Sequence, residues 1–230
     1  MLYSNCNWED IKHYLYSDNR VVLVLGATEE HADLSICTDT LIPFYLAKAA
    51  CSIENVLLAP PIHYGLSQWA SAYPGTITLN TTTYICLVKD IVESLLNSGF
   101  RKLLILNGHG FNRSVCPALI ESLTQYENSE IIFEQWYDLP TVKKLRSDIP
   151  AGHATWIETF SFNKLYPGER KQPYLVSTTP NMLINPKKLK SIMKNGYGIG
   201  KLNESNKMDD YFSDIVQDIC NILKQMKGNL

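Results

Sequence analysis

The sequence predicts an α/β fold built on a mostly parallel central sheet. Short apolar runs rich in β-branched residues alternate with longer stretches of helical periodicity. Within those runs apolar residues are consecutive rather than alternating, which marks strands covered on both faces. The chain has 230 residues, 45% of them hydrophobic and 19% charged, enough to bury a large core without disulfides.

Residues 8–16 have the spacing of a short amphipathic helix, and Asp18-Asn19-Arg20 that of a turn. The first strand is expected over residues 21–25, followed by a helix over 40–50. A second strand over 56–59 is stopped by Pro60-Pro61. The clearest helix runs over 83–98, with Tyr84, Ile85, Leu87, Val88, Ile91, Val92, Leu95 and Leu96 tracing one face. Gly99 sits where its C-terminal cap belongs. A third strand over 103–106, a helix over 114–126 and a fourth strand over 131–136 follow. Residues 154–165 read as a helix and 209–226 as a final amphipathic one. Residues 167–208 carry Pro, Lys, Asn and Gly with weak periodicity and read as an irregular excursion. No composition break marks a linker, so 1–230 is expected to be a single domain.

A net charge of −2 leaves no electrostatic footprint for nucleic acid or an anionic membrane. A small or neutral substrate fits better. The six cysteines are scattered without a C-x-x-C pair, and Cys86 and Cys116 fall in apolar runs where a reduced thiol packs as a small hydrophobe. No secretory signal and no stretch long enough for a transmembrane helix is visible, so a cytoplasmic location is expected.

In open α/β sheets, sites form beyond the carboxyl ends of the strands. After the first strand come Glu29 and His31, then Asp39 at the start of the next helix. In an extended or turning segment, side chains two apart point the same way, so Glu29 and His31 reach one site together. A carboxylate such as Asp39 has two oxygens and can bridge two cations. After the third strand comes Asn107-Gly108-His109-Gly110, whose glycines let the ring approach an ion closely. A third cluster holds His153 and Glu158. Three of the five histidines fall in these clusters, and His13 and His63 are read as structural. Imidazole with carboxylate suits zinc, manganese or iron rather than calcium.

Gly26-x-x-Glu29-x-His31, Asp39, Gly65-Leu66-Ser67, Tyr73-Pro74-Gly75-Thr76-Ile77, Asn107-Gly108-His109-Gly110-x-Asn112 and His153-Ala154-x-x-x-Glu158-Thr159 stand in this order over about residues 8–165. This order and spacing resembles the creatininase family. The resemblance implies a three-layer α/β/α fold, homo-oligomers that are often hexamers, and C–N hydrolysis with two divalent metals per chain, Zn2+, Mn2+ or Fe2+. By match, Glu29, Asp39 and His109 hold one metal, and His31 and the bridging Asp39 the other. His153 matches a proton-shuttling histidine. Phe111 stands where creatininases proper have a glutamate ligand, and Glu158 is taken as its replacement.

The segment from His31 to Asp39 is one residue shorter than the family's and lacks its second histidine, with Asp33 read as solvated. Thr155 and Trp156 replace small and acidic residues, and Trp156 either lines a pocket or packs in the core. From about Gly168 no pattern matches. These departures argue against creatinine as the substrate. The implied function is cleavage of a C–N amide bond in a small molecule: a cyclic amide, lactam or formamide. A bound cation makes hydroxide available at neutral pH, and His153 passes a proton to the leaving nitrogen. The alternatives are a peptidase of the same fold trimming a modified peptide, and a non-catalytic binding relative. No G-x-S-x-G elbow or phosphate-loop ending is present.

Overall fold

The computed structural model describes residues 1–149, 151–165, 173–176, 183–199 and 208–227. In chain order the elements are α1 (Trp8–Leu15), β1 (Arg20–Leu25), α2 (Thr38–Glu54), β2 (Leu57–Leu58), α3 (Thr81–Asn97), β3 (Lys102–Asn107), α4 (Cys116–Leu123), β4 (Glu130–Gln135), α5 (Pro140–Asp148), β5 (Tyr174–Val176), α6 (Pro186–Ile192), β6 (Tyr197–Ile199) and α7 (Phe212–Lys227). The first four strands form one parallel sheet in the order β2-β1-β3-β4. The expected α/β/α layering is present. β5 and β6 pair in parallel as a separate ribbon.

The two central strands divide their side chains between two cores. Val22, Val24, Leu104 and Leu106 face α2, α5 and α7, where Ile42, Leu46, Val142, Ile219 and Leu223 meet them. Val21, Leu23, Leu25, Leu103 and Ile105 face α1, α3 and α4, against Tyr14, Val88, Val92 and Leu119. Burying each such aliphatic side chain stabilises the fold by roughly 1.5–3 kcal/mol. That burial fixes the register, which aligns Leu25 with Asn107 and so brings the ends of β1 and β3 level.

The structure differs from the expected elements in four places. The helix expected over 154–165 is a single 3-10 turn, Trp156–Glu158, flanked by turns. The helix expected over 114–126 begins as a 3-10 turn, Gly110–Val115, and is α-helical only over Cys116–Leu123. α5 was unassigned from sequence; Pro140 opens it at the first helical position, and Leu139 and Val142 anchor it in the core. The excursion expected over 167–208 lies partly outside the described residues, and its described part contains β5, α6 and β6. Cys86 is exposed rather than packed, because it points away from the buried face of α3; the buried thiols are Cys51 and Cys220. Among the described residues no helix is long and apolar enough to cross a membrane.

Candidate metal centre

Four segments meet at the carboxyl edge of the sheet. After β1, the chain turns through Gly26 to Glu29, and Thr28 ties it down by donating from Oγ1 to the His63 carbonyl at 2.9 Å. The short loop to α2 closes with Ala32 at a φ of 51° and the Leu34 amide donating to the His31 carbonyl at 2.9 Å. It therefore still delivers Asp39, in the first turn of α2, to His31 despite its missing residue. Asp33 stays exposed.

After β3, Gly108 passes against the first turn of α2. A Cβ there would collide with the Asp39 carbonyl oxygen. The requirement at Gly108 is thus close approach rather than a special turn conformation. Asn112 then stitches the edge together. Its Nδ2 donates to the Gly26 carbonyl at 3.0 Å and to Asn107 Oδ1 at 3.2 Å, and its Oδ1 accepts from the Leu66 amide at 3.2 Å.

Two groups of ligand-type atoms result: Glu29, Asp39 and His109; and His31, His153 and Glu158. His109 Nδ1 lies 2.9 Å from both Glu29 Oε2 and Asp39 Oδ2. Its Nε2 faces the Leu66 carbonyl at 2.9 Å, so it is the protonated nitrogen and Nδ1 is the one available to a cation. His31 Nδ1 donates to the Glu29 carbonyl at 3.0 Å. Its Nε2 points at Asp39 Oδ1, 3.1 Å away, and Glu158 Oε2, 3.6 Å away. Asp39 is therefore the carboxylate with one oxygen toward each imidazole.

Burial pulls both imidazolium forms down, but the carboxylates overcome it. Asp39 and its hydrogen bond, then Glu158 and Glu29, hold His31 at about 10. Glu29 and Asp39 raise His109 well above its ordinary value. Burial pushes the Glu158 carboxyl up, against the pull of His31 and His153. Burial also acts on Glu29 and Asp39, yet the facing imidazoles bring both below the usual carboxylate range.

Each of the two groups could hold a metal ion. Three buried carboxylates and two oriented imidazoles are borderline ligands of the kind zinc and manganese take. Among the described residues, His31 Nε2 is fully enclosed and has only the carboxylates of Asp39 and Glu158 facing it, at 3.1 and 3.6 Å, without a well-aligned hydrogen bond. A buried polar atom left unpaired is costly, and a cation would satisfy it. Outer contacts orient the ligands as metal sites require: Ser67 Oγ and the Tyr197 hydroxyl donate to Glu29 at 3.3 and 3.4 Å, and the Ala154 amide donates to Glu158 at 2.7 Å.

His153 sits beside the cluster, its ring 4.3 Å from that of His31 and stacked at 4.3 Å on Tyr197. A cavity of about 380 Å³ opens above, with Glu29, Asp39, His109 and Glu158 in its floor and Trp69, Phe111, Tyr137 and Tyr197 in its walls. Trp156 packs in the core and is no part of these walls. Sequence reading missed Glu30, Trp69 and Tyr197. No sequence pattern announced Glu30, Trp69 or Tyr197, which the fold alone brings to the site. His13 and His63 are exposed and belong to neither ligand group.

The creatininase family model, described as creatinine amidohydrolase, matches residues 4–223. The chain is 26% identical over 182 residues to 3-dehydro-scyllo-inosose hydrolase of Thermotoga maritima, covering 75% of this chain and 58% of that protein. It is 31% identical over 120 residues to creatinine amidohydrolase of Pseudomonas putida, covering 50% and 40%. Mycofactocin precursor peptide peptidase of Mycolicibacterium smegmatis is 28% identical over 117 residues, covering 48% and 47%. The chain spans about half the length of the curated relatives it matches. A crystal structure of creatinine amidohydrolase superposes with a TM-score of 0.81 at 20% identity, over 97% of this chain and 96% of that one. A manganese creatininase superposes at 0.80 with 19% identity, over 97% of each. At such identities the superpositions establish the fold alone.

Proposed function

The chain belongs to the creatininase family, and from that premise we propose that it is a metal-dependent hydrolase that cleaves a C–N amide bond in a small, flat molecule. The observation that carries the proposal is the two adjacent ligand groups beneath one cavity, with Asp39 of the first placing one oxygen 2.9 Å from His109 and the other 3.1 Å from His31 of the second. Glu29, Asp39 and His109 would hold one divalent cation, and His31, Asp39 and Glu158 the second. Cations held there supply polarisation of a carbonyl and a water that ionises near neutral pH.

The residues of the chain do the rest. Asp39 spans the two positions. Ser67 and Tyr197 fix the Glu29 carboxylate, and the carbonyls of Leu66 and Glu29 fix the imidazoles. His153 holds and passes the proton that the leaving nitrogen needs. The aromatic walls exclude water and favour a planar amide over a flexible chain. Peptide trimming is the second reading, and the likeness to the mycofactocin precursor peptide peptidase supports it.

Metal content per chain, measured on protein purified without chelator, tests the proposal. Between one and two equivalents of zinc, manganese or iron are expected in the native chain, falling away in Glu29→Ala and His109→Ala. No metal after reconstitution would overturn it. Parallel assays of lactams, cyclic imides and short peptides then separate the two substrate classes.

A further inference from the structure

Glu30 stands next to two of the candidate ligands but belongs to neither group. Its Oε1 accepts from the Ala32 amide at 2.5 Å, which fixes the carboxylate plane. Its Oε2 lies 3.7 Å from His153 Nε2. Both atoms are fully enclosed, and among the described residues neither has a hydrogen-bond partner. Two unsatisfied buried atoms of complementary type thus face each other across a gap that a small closure removes. The surroundings hold them there. Gly196 passes so close that a Cβ would collide with Glu30 Oε1. Tyr197 stacks on the His153 ring at 4.3 Å with 19° between planes, and the Ile199 amide donates to the His153 carbonyl at 2.8 Å.

We infer that Glu30 is the positioning residue for His153. It accepts the Nε2 proton and so fixes the ring in one tautomer. Because Nε2 is sealed off while the ring lines the cavity, Nδ1 is the nitrogen presented to a substrate. A bare Nδ1 can take a proton and return it to a leaving nitrogen. The inverse tautomer would offer an N–H there and hold no lone pair to receive one. A neutral ring without this partner would divide between both tautomers. The inference rests on the proton-carrying role proposed for His153, and it gives Glu30 no contact with substrate or metal.

Nitrogen-15 long-range correlation spectra of the full chain, with and without zinc, test it; His153 signals are assigned by their loss in His153→Asn. The native chain is expected to show His153 with Nε2 protonated and Nδ1 bare, by at least ~tenfold over the other form, as a charge-assisted hydrogen bond provides. Glu30→Ala should bring the two forms near parity. Glu30→Gln keeps the shape without the charge and should fall between them. Zinc uptake, measured beside the spectra, should be unchanged in both variants. An unaltered tautomer in both, or a zinc-bound nitrogen signal from His153 itself, overturns the inference. Failure to take up zinc with the tautomer intact would instead count against the hydrolase reading alone.

Discussion

At the scale of single residues, protons and cations compete for the same atoms. His31 Nε2 and His109 Nδ1 both point at carboxylates, and without metal those carboxylates keep the rings protonated. A folded-state value of about 10 for His31, above its ordinary 6.5, gives stability that is full below 6.5 and lost as the pH climbs through 10. A bound cation displaces that proton, so its apparent affinity should rise about tenfold per pH unit for each proton displaced. The melting-temperature gap between zinc-loaded and chelated protein is therefore expected to widen as the pH rises from 6.5 towards 10. Scanning fluorimetry across that window checks it, and a constant gap would show that the imidazoles are not ligands. Glu29, His31, Asp39 and His109 were legible in the sequence because two strand ends concentrate them and histidines are few, whereas His153 and Glu158 follow no strand and were legible through the family motif. Glu30 and Tyr197 were not. The roles of such residues come from what faces them in space: Glu30 gains its meaning from His153, 3.7 Å away across a long sequence separation.

At the scale of elements, the strands were readable and the 154–165 segment was not. Consecutive buried aliphatics in β1 and β3 leave one solution, a strand covered on both faces. Residues 154–165 mix apolar and polar side chains, and the polar ones take the backbone bonds a helix would need. Thr155 Oγ1 accepts from the Gly152 amide at 3.1 Å, and Glu158 accepts from Ala154, which is held at a φ of 51°. Asn163 accepts from the Phe160 amide at 3.0 Å and donates to the Glu158 carbonyl at 2.7 Å. These bonds keep the segment a turn and aim the Glu158 carboxylate at His31. Asn163 is fully buried, so Asn163→Ala leaves those backbone groups unpaired and should cost about 1–3 kcal/mol. Denaturant unfolding is expected to show that loss together with weaker binding of the second metal equivalent. An unchanged midpoint would mean the apolar packing of Ile157 and Phe160 alone sets the turn. Across the cleft, Gly108→Ala is expected to push β3 and α2 apart and abolish metal uptake, because its Cβ has no space beside the Asp39 carbonyl.

At the scale of the whole molecule, the candidate centre joins parts that the cores do not. The two main cores hold the sheet and its flanking helices without help from the cluster. Among the described residues, the β5–β6 ribbon and α6 share a small core of Leu189, Met193 and Tyr197, with Trp69, Ile184 and Ile199 packed against it. Among the described residues, the bonds that dock them include Tyr73 to the Met193 carbonyl at 2.7 Å, Lys190 to the Ala72 carbonyl at 3.0 Å, Ile199 to His153 at 2.8 Å, and Tyr197 to Glu29 at 3.4 Å. The last two end on residues of the cluster. Drawing Glu29 and the 153–158 turn onto cations should therefore tighten the ribbon more than the sheet. Cation binding at a thousandfold excess over its dissociation constant stabilises the native state by about 4 kcal/mol, and local opening feels that increment first where few other contacts resist it. Hydrogen exchange read by mass spectrometry is expected to show β6 peptides exchanging faster on chelation while β1 and β3 stay protected. Equal acceleration everywhere would mean that the centre is coupled to global unfolding, and that the ribbon is held by its own small core rather than by Glu29 and His153.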